Sequence, residues 1–308
     1  IENYLMYGII MQKMNKISVI GILLTIFILP FASAHEETVD PGTTPDSFLW
    51  GLDKALDNLN LLLTFDKGEK AKKGLEIARE RLAEVKSMVE ENKLEAAGKG
   101  KEAHIKTLSK VKENIKEVEE GNSIEEIKQM VEIEKEVEEH DEEIEQTFDE
   151  LKIKIELKGQ ITQEQKNLID AILNSLEGQT GEIEIEIKNK KDKTKIKIKA
   201  ETGKSEKEIE QEIEDIEDEE GLTEIKKEKA AEEIEDAKED LAKLGEELQE
   251  HKAEGHIADE KPITSLIENA EKRIANAEEA FKNNDFGEAF GQANAAQELL
   301  DNAERILE

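Results

Sequence analysis

Apolar positions along the chain step by threes and fours for most of its length, with one stretch that steps by two. From Phe48 the stripe runs Phe48, Leu52, Leu56, Leu59, Leu63, widened by Trp50, Leu62 and Phe65, which predicts an amphipathic helix facing a core. Ala71, Leu75, Ala78, Leu82, Val85 and Val89 mark a second helix. Ile105, Leu108, Val111, Ile115 and Val118 mark a third, ending at Gly121. Ser123 and Glu126 have capping-box spacing and open a fourth through Ile127, Val131, Val137, Ile144 and Phe148.

At Leu151 the period becomes two. Leu151, Ile153, Ile155 and Leu157 alternate with charged residues and predict a half-buried strand. Thr162 to Leu176 reads as a helix. Ile183, Ile185 and Ile187 alternate with Glu, and Ile196 and Ile198 with Lys, on either side of a polar tip at Asn189 to Lys193. That pattern predicts a hairpin whose Glu row faces its Lys row. Ser205 to Ile216 supplies another helix. Helices then resume with a narrow seam at Ala230, Ile234, Ala237, Leu241, Leu244, Leu248 and His251, followed by an Ala-rich helical hairpin turning at Asn283-Asn284-Asp285.

The expected fold is mainly α with a small α+β insert: antiparallel long helices and helical hairpins flanking a three-stranded β-α-β-β-α module. The expected divisions are residues 1–34, 35–46 (an extended leader), 47–149 (an N-terminal helical domain), 150–220 (the β-α-β-β-α module) and 221–308 (a C-terminal helical hairpin domain). Within 1–34, Met14-Asn15-Lys16 is a short basic start, Ile17 to Phe31 is almost wholly apolar, and Ala32-Ser33-Ala34 has small-x-small cleavage character. The expectation is a signal peptide starting at Met14 and cleaved after Ala34, which exports the chain to the cell exterior or a periplasm-like space. An uncleaved signal segment would be its only membrane attachment.

Composition narrows the chemistry. A net charge of −33, from 43 basic and 76 acidic residues, repels phosphate backbones and argues against nucleic-acid binding. The chain has no Cys, so disulfides, thiolate metal sites and a Cys nucleophile are excluded. Thr202-Gly203-Lys204-Ser205 mimics the tail of a phosphate-binding loop, but the Gly that motif needs five residues earlier is Ile198. Gly98-Lys99-Gly100-Lys101 reads as a helix break. No serine-hydrolase elbow, zincin or calcium-loop pattern occurs, and neither a catalytic residue nor a cofactor is expected.

Metal candidates are His35, His251 and His256. His35 would be the mature N-terminus, offering amine and imidazole together as copper chelators do. His251 and His256 lie five apart across Gly255. His140 and His251 fall on the apolar stripes of their helices, and His104 borders its own. The acidic runs Glu138 to Glu143 and Glu210 to Glu220 allow weak divalent-cation binding. In the second run, acids at a helix C-terminus oppose the macrodipole and predict fraying.

Two segments carry a resemblance. Pro41-Gly42-Thr43-Thr44-Pro45-Asp46-Ser47-Phe48-Leu49-Trp50-Gly51-Leu52-Asp53 continues into Ala78-Arg79-Glu80-Arg81-Leu82-Ala83-Glu84; Asp285-Phe286-Gly287-Glu288-Ala289-Phe290 is a looser match. Over 41–90, and more loosely 262–308, the chain resembles an uncharacterised, exported and largely archaeal prokaryotic family, domain-of-unknown-function family 5667. The resemblance implies an exported helical domain without catalytic residues. The functional expectation is a non-enzymatic helical protein of the cell surface or envelope that binds a protein partner or itself. Its contact surfaces would be the coiled-coil-like seams or Phe281, Phe286 and Phe290, unless those three form the hairpin's own core. The alternative is an envelope cation- or metal-binding protein.

Overall fold

A computed structural model of the chain describes residues 40–119, 121–158, 162–176, 178–254 and 261–307. Ten helices occur among them: α1 (Trp50–Leu63), α2 (Lys67–Glu90), α3 (Leu94–Glu117), α4 (Ile124–Lys158), α5 (Gln163–Leu173), α6 (Gly181–Thr202), α7 (Glu206–Glu220), α8 (Leu222–Glu254), α9 (Lys261–Lys282) and α10 (Phe286–Leu307).

The α2 stripe goes inward as its spacing predicts, with Ala71, Leu75, Ala78 and Val85 fully buried. The chain turns into α3 at Asn92, whose φ of 59° closes the helix with Lys93 N–H on the Met88 carbonyl at 2.8 Å. Nothing breaks at Gly98 and Gly100, because α3 runs through both. A Cβ on Gly100 would lie 3.1 Å from Val85 and 3.4 Å from Pro45, so hydrogen there lets α2 and the leader approach closely. Against this pair lies α4, a rod of 35 residues, about 50 Å long at helical rise. It contributes to three apolar clusters: Ile144, Phe148 and Leu151 to one with α5, Met130, Ile133 and Val137 to one with α6, Ile127 and Val131 to one with α7 and α8.

The expected β-α-β-β-α module is absent: among the described residues there is no strand. Leu151 to Ile155 belong to α4, where Ile144, Phe148 and Leu151 are buried at steps of four and three and Ile153 is exposed. The supposed hairpin is the single helix α6. Its buried positions are Ile183, Ile187, Lys190, Lys191, Thr194 and Ile198, while Ile185 and Ile196 point to solvent. The helical face was hidden because half of it is polar. Lys190 Nζ donates to the Val118 carbonyl at 2.7 Å, and Lys191 Nζ sits 2.7 Å from Glu134 and 2.5 Å from Glu217. With these partners two lysines can occupy core positions that a hydropathy pattern reads as turn. The Glu and Lys rows pair with neighbouring helices instead of each other, as in Lys112 with Glu182, 2.5 Å apart.

Capping is local and legible. Thr162 with Gln165 and Ser205 with Glu208 form complete capping boxes for α5 and α7. The acidic end of α7 is held, contrary to the expected fraying. Gly221 caps it at φ 78°, and Glu217 and Glu220 pair with Lys191 and Lys128. The last three helices bury an Ala-rich seam, with Ala237, Ala270, Ala277, Ala293, Ala296 and Ala303 all fully enclosed. The α9–α10 turn uses Asn284 at φ 60°. Phe281, Phe286 and Phe290 belong to that bundle's core, with Phe281 and Phe286 edge-to-face at 5.3 Å between centroids.

Candidate functional site

The leader and α1 form the least conventional part of the fold. Arg81 on α2 is 1% exposed, and an isolated buried guanidinium would cost several kcal/mol. It is met by Glu84 one turn on, by Asp53 at 2.9 Å and by Asp57 at 2.5 Å. Asp53 and Asp57, four residues apart, share one face of α1. Trp50 and Leu61 flank them on that face, and the indole Nε1–H donates to Glu84 at 2.9 Å. Burial pushes the Glu84 carboxyl up, against the pull of Arg81 and the indole. Asp57 is also raised by burial. Upstream, Pro45 is buried, Asp46 lies 2.6 Å from Lys93, and Thr44 Oγ1 donates to Asp46 at 2.7 Å.

The consequence is an inverted helix. Since its charged face answers Arg81, α1 turns its apolar stripe outward. Phe48 is 92% exposed, Leu62 68%, and Leu49, Leu52, Leu56, Leu59, Leu63 and Phe65 are also exposed. At one residue per 100° of helical turn, Phe48, Leu49, Leu52, Ala55, Leu56, Leu59, Leu62 and Leu63 fall in an arc of about 140°. No charge lies in that arc. Its seven large side chains expose roughly 800 Å² of apolar surface, beyond the ~300–600 Å² of the largest patch on a typical monomer. The sequence stripe that predicted a core face is a surface.

The motif residues Pro45, Asp46, Trp50, Asp53, Arg81 and Glu84 therefore converge on one task, the docking of this helix. Residues 42–154 match the family model Domain of unknown function (DUF5667). The match extends the resemblance at 41–90 to nearly the end of α4 and stops short of 262–308. Within the matched domain it encloses α1, its anchor and the stretch of α4 that faces α2. No curated protein and no solved structure matches the chain.

The matched domain also contains a buried histidine pair that sequence reading left unconnected. His104 on α3 and His140 on α4 are both fully enclosed, with Nε2 atoms 2.9 Å apart. His140 Nδ1 lies 3.3 Å from Glu143, whose other oxygen is 3.3 Å from Arg79 Nε. A carboxylate at Glu143 makes His140 a donor at Nδ1 and an acceptor at Nε2. His104 then donates from Nε2, and its Nδ1 has no partner among the described residues. Burial, reinforced by the His140 ring, holds His104 down at about 3.

The sign of the resulting pH dependence is fixed. An unfolded chain protonates His104 near pH 6.5, whereas the folded one resists, so this contribution is whole above pH 6.5 and lost as pH falls towards 3. Between pH 8 and 5 it amounts to about 2 kcal/mol. Glu145, Glu184 and Glu233, each raised to about 7 chiefly by burial, act oppositely and lose stability as pH rises from 4.5 to 7. Urea unfolding of wild type and His104→Leu across pH 5–8 isolates the histidine. The variant is expected to lose its acid limb, and identical slopes would refute the assignment.

Further ion pairs join α4 to its neighbours. Lys229 on α8 bonds Glu138, at 3.0 Å, and Asp141 of α4, beneath the ring of Phe290 at 5.0 Å. Thr180 Oγ1 donates to the same Asp141. The first acidic run thus serves Lys229 and Arg79, the second Lys191, Lys204, Lys226 and Lys128. A groove of about 800 Å³ beside them is lined by mixed charges, including Glu184, Lys188, Asp192 and Lys195, with Phe286 and Phe290. Among the described residues no group of three or more His, Asp or Glu is placed to hold a metal, and no helix is long and apolar enough to cross a membrane. His251 is half-buried on α8; His35 and His256, and the signal segment, lie outside the described residues.

Proposed function

We propose that this is an exported, non-enzymatic helical protein of the cell surface or envelope, acting by protein binding or assembly through the outward face of α1. The observation that supports it is the inversion of that helix. A chain that is 39% charged keeps a charge-free apolar face in solvent and holds it there with a buried ion cluster. Water contact with such a face is unfavourable unless a partner covers it. The basic, apolar and small-residue succession of Met14 to Ala34 supports export, and the absence of any catalytic motif in the sequence supports a binding role.

A photo-crosslinking amino acid at Leu59 tests the reading in the source cells. Protein adducts are expected, recovered outside the cytoplasm on a chain beginning at His35, and abolished by Leu52→Asp. Absence of any adduct, or adducts indifferent to Leu52→Asp, would overturn the docking role; recovery in the cytoplasm alone would overturn export.

A further inference from the structure

The geometry points to a second copy of this chain as the occupant of the α1 face, in an antiparallel, two-fold pairing of α1 with α1. This rests on the docking role just proposed and names its partner. The face is self-complementary. A two-fold axis between Ala55 and Leu56 sets Leu56 against Ala55, Leu59 against Leu52, Leu62 against Leu49 and Leu63 against Phe48. Every apolar position of the arc meets another apolar position of the same arc. That is the property of an isologous interface, where residue i meets j and j meets i.

Size and shape agree. Roughly 800 Å² of exposed apolar side chain is what one partner contributes to a standard interface. Ala55 at the axis, and Gly51 on the same exposed side with open space around it, allow the two helices to come close. A strongly charged partner would find nothing to pair with in the arc. The net charge of −33 opposes association of two copies, so salt that screens it strengthens a contact made by apolar groups.

The absence of cysteine makes the register directly readable. In the purified chain, Ala55→Cys is expected to form an intermolecular disulfide on mild oxidation. Leu63→Cys is expected to crosslink in mixture with Phe48→Cys and not by itself. Light scattering should give twice the monomer mass, with dimerisation at least tenfold weaker in Leu52→Asp/Leu59→Asp and stronger in 0.5 M than in 0.02 M NaCl. Those substituted side chains are exposed, so an unchanged circular dichroism spectrum confirms that the fold is kept. A dimer in which Leu63→Cys crosslinks alone overturns the antiparallel pairing. A monomer at 100 µM overturns the second copy, while adducts of Leu59 with a different protein would leave the docking role standing; a monomer without adducts removes both.

Discussion

Replacing Arg81 with methionine is expected to destabilise the protein by about 3–5 kcal/mol, the usual consequence of removing one partner from a buried ion cluster. Methionine fills much of the volume but leaves Glu84, 1% exposed, without its cation, and lets Asp53 and Asp57 repel each other. The effect should be visible at two levels. Urea unfolding should show the global loss. Trp50 is the only tryptophan and reports on the α1 anchor, so its emission should shift to the red in the native baseline of the variant as the indole leaves Glu84. An unshifted emission with wild-type stability would mean that α1 is held by something other than Arg81.

Lys229→Met should cost a comparable amount, about 3–5 kcal/mol at pH 8. This lysine is 9% exposed, and burial is outweighed by Glu138 and Asp141, which hold its ammonium charged. Its loss leaves both acids facing one another beside Glu184, already raised by burial and by Glu138. Protonation of Glu184, raised to about 7, relieves its repulsion with Glu138, so the deficit should shrink as pH is lowered from 8 to 5. A deficit independent of pH would show that the ammonium's contact with the Phe290 ring matters more than its pairing with Glu138 and Asp141.

What sequence made legible, and what it concealed, follows from where polar side chains went. Ala71, Leu75, Ala78, Leu82, Val85 and Val89 on α2 and the Ala-rich seam near the C-terminus were readable because their apolar positions recur at steps of three and four and go inward. In α6 the pattern failed at Lys190, Lys191 and Thr194; the two lysines find their partners in Val118 just past α3, Glu134 on α4 and Glu217 on α7. A polar residue is assigned to water unless the distant group that satisfies it is known. In α1 the same blindness inverted the outcome. Trp50, Asp53, Asp57 and Leu61 step by three, four and four as regularly as the leucines do, and Arg81 decides between the two faces. The signal that could have found the anchor was a buried-type aromatic in phase with two carboxylates, plus an arginine inside the α2 stripe. His104 was hidden by a single step: the periodicity favoured Ile105, and the helix buries its neighbour.

One helix shared among several interiors also governs how the molecule can come apart. Because α4 lends side chains to three clusters at successive heights, none of the three can open without exposing part of its neighbour. Breathing motions along the middle of the chain are thereby tied into one large event, and small, frequent openings are left to the periphery. The helix α1 is clipped to the outside of this rod-centred body. Its outward apolar face can be covered or bared while the interior stays shut.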